Sequence, residues 1–122
     1  MNDRHPDNLE NLRQRLAEFA AARDWDPFHS PKNLAMALIA EAAELIEHFQ
    51  WLTQAQSKAL APDTLEAARL ELADILIYLI RLADKLGVDL IEAANDKIAL
   101  NETRYPAEKV RGSARRAGEY HD

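Results

Sequence analysis

The 122-residue chain has no cysteine, only three glycines and only five prolines. Without cysteine there is no disulfide framework, no thiolate metal site and no thiol nucleophile. Such a composition suits a reducing compartment, and a cytoplasmic protein is expected. The scarcity of glycine excludes a phosphate-cradling glycine loop and a Gly-x-Ser-x-Gly elbow. Serine occurs only at Ser30, Ser57 and Ser113, at a helix cap, in a loop and in the tail. No apolar run is long enough to cross a bilayer, and residues 1–6 are too polar for a secretory signal. Basic side chains are also in deficit, 15 against 21 acidic, for a net charge of −6. An acidic surface fits a nucleic acid polymer poorly, so neither nucleic acid nor membrane is expected as a partner. Small phosphate substrates remain open, because carboxylates can hold a divalent cation that reverses the local sign. The locally basic stretch Lys109, Arg111, Arg115 and Arg116 reads as a solvated tail.

What the chain does have is apolar residues, 48% of the total, arranged with helical period. A length of 122 residues predicts one domain, with a helical core over about 7–105 and an irregular tail over 106–122. Four helices are expected. The first spans residues 7–23, with Asp7 as cap and Leu9, Leu12, Leu16, Phe19 and Ala20 on one face. The second starts at Ser30-Pro31, a cap followed by a proline at the first helical position, and runs to about Thr53. The third starts near Asp63, with Glu66 as capping-box partner, and stops at Gly87. The fourth opens at Asp89, with Glu92 in the same relation, and ends before Tyr105-Pro106. The third helix is apolar on more than one face (Leu72, Ile75, Leu76, Ile77, Leu79, Ile80, Leu82). A four-helix monomer gives such a helix too little cover, so a homodimer or homotetramer is expected, with parts of the second and third helices at the interface.

Two acid pairs break this apolar pattern. Glu41 and Glu44 lie on the second helix, Glu71 and Asp74 on the third. Spacing of i, i+3 puts both carboxylates of a pair on one side of a helix. The seams continue as Glu41, Glu44, His48, Trp51 and as Glu71, Asp74, Tyr78, Arg81. If the two helices pack antiparallel, four carboxylates converge, a set of hard oxygen ligands suited to Mg²⁺ or Mn²⁺. Acids at this spacing are also common on solvated faces, and a non-catalytic helical interaction module shares the pattern. A di-iron bundle is disfavoured, because neither helix carries Glu-x-x-His.

The spacing Glu41-x-x-Glu44, then 26 residues, then Glu71-x-x-Asp74 resembles the motif of the MazG-like, all-α nucleoside triphosphate pyrophosphohydrolases. The chain is most similar to the dCTP pyrophosphatase branch. The segments that carry the likeness are Arg23-Asp24-Trp25, Phe28-His29-x-Pro31-Lys32-Asn33-Leu34, Glu47-x-Phe49-Gln50-Trp51 and Asp74-Ile75-Leu76-Ile77-Tyr78, then Lys97, Asn101, Arg104-Tyr105-Pro106 and Arg111-Gly112-Ser113-Ala114. The resemblance covers about residues 9–116. It implies a four-helix MazG-like bundle, homo-oligomeric, that hydrolyses a dNTP, dCTP or a 5-modified dCTP above others, to dNMP and diphosphate in nucleotide-pool sanitation. It further implies that Glu41, Glu44, Glu71 and Asp74 hold Mg²⁺, or Mn²⁺, carried with the triphosphate. Glu47 looks like an additional acid able to orient water. Lys97, Asn101 and Arg104 correspond to phosphate-contacting positions. Trp25, Phe28, His29, Lys32, Trp51, Tyr78 and Tyr105 correspond to substrate-contacting ones. Lys32 stands where the family often has arginine. Action on dUTP or another NTP stays open.

Overall fold

In the computed structural model, residues 8–113 are described, and all of their regular structure is helical. The helices are α1 (Leu9–Ala22), α2 (Pro31–Glu47), α3 (Gln54–Ser57), α4 (Pro62–Leu86), α5 (Leu90–Arg104) and α6 (Ala107–Val110). A single 3₁₀ turn, Asp26–Phe28, links α1 to α2. The described chain divides after Gly87 into two compact units, where sequence length suggested one domain. The first unit contains α1 to α4, and the second contains α5 and α6.

Local signals explain most boundaries. Ser30 accepts the Asn33 N–H and Pro31 opens α2; Asp89 accepts the Glu92 N–H and opens α5. Gly87 closes α4 in the left-handed conformation, φ 69°, which costs a residue without a Cβ nothing. Four expectations need correction. The cap of α1 is Asn8, which accepts the Asn11 N–H; Asp7 lies outside the described residues. Helix α2 ends at Glu47 rather than near Thr53, because the N–H groups of His48 and Phe49 turn to i−3 carbonyls and tighten the chain. Thr53 instead starts α3 through a capping box with Gln56. Helix α4 starts at Pro62, capped by no side chain, and Glu66 pairs with Arg69 at 2.8 Å. The stretch expected to be irregular after 105 contains the helical turn α6; the part of the tail from 114 on is not described.

In the first unit α4 is the hub. It packs most extensively on α2 and next on α1. The buried apolar residues there are small for the most part: Ala20, Ala68 and Ala83, with Leu34 and Ile80. Small side chains let the helices approach closely, but they remove little apolar area from water. Large apolar side chains stay exposed as a result. Met36, Ile39 and Ile46 line one side of α2, and Leu65, Leu72, Leu76 and Leu79 line one side of α4. No described helix is long and apolar enough to cross a membrane.

Candidate active site: an acid cluster beside an aromatic cavity

The α2–α4 contact brings the acids together. Oxygens of Glu41, Glu44 and Glu71 all lie within 4.8 Å of one another. Asp74 is outside this trio, but its charge still bears on Glu41. Among the described residues none of the three acids forms an ion pair. Glu41 Oε2 and Glu71 Oε2 are buried without a hydrogen-bond partner. A buried carboxylate oxygen with no donor is costly unless a proton or a metal supplies the missing positive charge. Burial, then the facing Glu44 and Glu71 carboxylates, then the charge of Asp74 push the Glu41 carboxyl up to about 7. Orphaned, hard carboxylate oxygens that face each other across the α2–α4 contact fit a divalent cation.

The second half of the site depends on how α1 ends. Asp24 takes a left-handed conformation, φ 54°. Its N–H donates to Ala21 O at 3.1 Å, and the Trp25 N–H donates to Ala20 O at 3.0 Å. This pair of bonds is a Schellman closure with aspartate in the usual glycine position. It folds Trp25 back on α1, where its ring meets Phe19 edge-on at 5.6 Å, and it delivers the chain to His29. A cavity of about 370 Å³ results, lined by α1 (Leu12, Leu16, Phe19), by Trp25 and His29, and by Asp74, Ile77, Tyr78 and Arg81 of α4. Asp74 thus connects the cavity with the acid cluster.

Arg81 shapes the cavity's polar edge. It is only 4% exposed, and its guanidinium is fully engaged. Nη2 donates to Asp26 Oδ1 at 3.0 Å, Nη1 lies 3.5 Å from Asp84 Oδ2, and Nε donates to His29 Nδ1 at 3.3 Å. Lys85 Nζ reaches the same Asp26 oxygen at 3.2 Å. The sequence places Arg81 on the seam but gives no sign of this role, since Asp26 and His29 are more than fifty residues away along the chain. Arg15, Phe19 and Leu16 are further cavity residues that spacing alone did not assign to the site.

The other expected site residues fall elsewhere. Phe28 and Lys32 are exposed and outside the cavity lining. Glu47 is exposed at the end of α2, outside the acid trio. Trp51 is 85% exposed, because the early end of α2 turns it off the Glu41–Glu44–His48 seam. Lys97, Asn101 and Arg104 share one face of α5 in the second unit, and Tyr105 follows directly.

The first unit thus joins carboxylates gathered at a helix–helix contact to an aromatic cavity in an all-helical chain. The MazG-like family model matches residues 37–119. The chain belongs to the MazG-like family. It is 46% identical over 110 residues to dCTP pyrophosphatase 1 of Homo sapiens and 47% identical over 108 residues to that of Rattus norvegicus. These alignments take in 88% and 87% of this chain but 65% and 64% of the relatives, so it spans slightly under two thirds of their length. A crystal structure of a pyrophosphatase from Archaeoglobus fulgidus superposes with a TM-score of 0.72 at 37% identity, covering 87% of this chain and 99% of that one.

Proposed function

We propose that this chain is a Mg²⁺-dependent nucleoside triphosphate pyrophosphohydrolase that converts a dNTP, above all dCTP or 5-modified dCTP, to dNMP and diphosphate. The carrying observation is the pair of orphaned buried oxygens on Glu41 and Glu71, next to a cavity the size of a nucleobase with its sugar. The names of the similar proteins, dCTP pyrophosphatase 1 and a pyrophosphatase, support the same reading.

Glu41, Glu44 and Glu71 would hold the cation, with Asp74 completing the set from the cavity side. When bound, Mg²⁺ (or Mn²⁺) neutralises the triphosphate and polarises the phosphorus under attack. The protein's own groups do the rest. The carboxylate of the quartet least engaged in holding the cation, or Glu47, orients the attacking water toward the α-phosphorus. Trp25 and Tyr78 hold the base by stacking, which contributes about 1–3 kcal/mol and tolerates any base. Selectivity therefore rests on hydrogen bonds at the cavity's polar edge, at His29. In the second unit Lys97, Asn101 and Arg104 present two cations and an amide in one row of α5, a chemistry suited to phosphate. Phe28, Lys32, Trp51 and Tyr105 are assigned to the outer substrate contacts.

The unpartnered apolar faces of α2 and α4 favour association of this chain with itself as a dimer or tetramer, in which the exposed Trp51 gains cover. The cysteine-free composition favours the cytoplasm. The test is a hydrolysis panel over common and base-modified dNTPs and rNTPs with Mg²⁺, with product analysis. Monophosphate and diphosphate from dCTP are expected, and no turnover in excess EDTA. Persistent turnover in EDTA, or release of orthophosphate alone, would overturn the assignment.

A further inference from the structure

An arginine side chain can only donate hydrogen bonds, because it keeps its protons at any pH a protein survives. Arg81 Nε and Nη2 both lie against His29 Nδ1, at 3.3 and 3.2 Å. Nδ1 must therefore be the acceptor, and the neutral ring carries its proton on Nε2. The alternative tautomer would point an N–H at a guanidinium that has nothing to accept it with. The charged imidazolium would do the same with an added like charge. Arg81 has no freedom to move aside, since Asp26 and Asp84 hold its other nitrogens and it is buried.

We propose that Arg81 is a positioning residue that locks His29 as a neutral Nε2–H donor, and that this donor selects pyrimidine triphosphates whose ring nitrogen accepts a hydrogen bond. The inference rests on the function proposed above and goes further by naming the chemical feature that is read. His29 lines the cavity, and no described protein group takes its Nε2. Cytosine offers an unprotonated N3 to such a donor, whereas thymine and uracil present an N3–H. A donor facing a donor leaves two buried polar groups unpaired, the arrangement by which sites reject close analogues most strongly. The surroundings keep the ring neutral: burial first, then Arg81, lower the His29 pKa, and Lys85 adds to this while Asp26 opposes it.

Two measurements on the full chain decide it. Nitrogen-15 NMR of histidine-labelled protein at neutral pH is expected to show His29 as the neutral Nε2–H tautomer; an Nδ1–H or doubly protonated ring would overturn the proposal. In kinetics, the ratio of kcat/KM for dCTP to that for dTTP is expected to fall at least about tenfold, or about 1.4 kcal/mol, in His29→Phe. Arg81→Gln, whose amide oxygen can accept from Nδ1–H, is expected to lose the ratio as well. Arg81→Lys, again only a donor, is expected to keep it. A purely structural role would lower both rates together, so an unchanged ratio in His29→Phe and Arg81→Gln would overturn the inference. If Arg81→Gln fails to fold, His29→Phe and the wild-type spectrum still decide. Absence of turnover with every triphosphate would instead defeat the proposed function, while the spectrum would still read the tautomer.

Discussion

Helix α4 places two charged clusters in partly buried surroundings, and it treats them in opposite ways. Around Arg81 the cation meets Asp26, Asp84 and the lone pair of His29. Near Glu71 three carboxylates meet each other, and two oxygens have no partner. The first cluster is complete within the protein, as a structural network is. The second is short of positive charge, which a proton or a bound cation can supply. Burial alone thus separates nothing; hydrogen-bond and charge balance tell a scaffold from a site.

The sharpest way to break this contrast is to neutralise one acid. Glu41→Gln or Asp74→Asn is expected to lower diphosphate release on the order of a hundredfold or more, the scale seen when one group that stabilises developing charge is lost. Circular dichroism of either variant is expected to match the wild type. Removing the cation of the other cluster should act on stability instead. Arg81→Ala removes a buried cation shared by Asp26, Asp84 and His29 and is expected to cost about 2 kcal/mol in urea denaturation, since Asp84 keeps Arg13 and Asp26 keeps Lys85 as counter-charges.

The two clusters also differ in their response to pH. A carboxyl raised to about 7 in the fold but near 4.5 when unfolded binds more protons folded than unfolded between those values. Stability of the metal-free protein should then fall as pH rises from about 4.5 through about 7, and level off above. Thermal melts in EDTA across that window measure it, and Glu41→Gln is expected to flatten the curve. On the cavity side, Trp25→Ala is expected to raise KM about tenfold through lost stacking. The smallest effect belongs to the turn that delivers Trp25. Asp24→Gly relieves a left-handed aspartate and is expected to stabilise by about 1 kcal/mol, read as a higher melting temperature.

The sequence made some of this legible because the signals are local. Ser30-Pro31, Gly87 and Asp89 each carry their cap chemistry within three residues, and the structure uses all three. The acid pairs were legible because i, i+3 spacing survives any packing of the helices. The end of α2 was not. Phe49-Gln50-Trp51 continues the apolar period, and neither glycine nor proline marks the break; the only cue was Thr53-x-x-Gln56, the capping box of the next helix. Placing Trp51 on the second-helix seam failed for that reason. The network of Arg81 was illegible for another. Helical spacing puts Arg81 on the seam but names no partner for it, and the Asp26–Phe28 turn, fixed by Asp24, brings Asp26 and His29 across.

The direct measurement is calorimetric titration of Mg²⁺ with a non-hydrolysable dCTP analogue into the wild-type chain and into Glu41→Gln. The account requires saturable binding by the first and its loss in the second, with both proteins folded. Equal heats from the two, or none from the wild type, would contradict it.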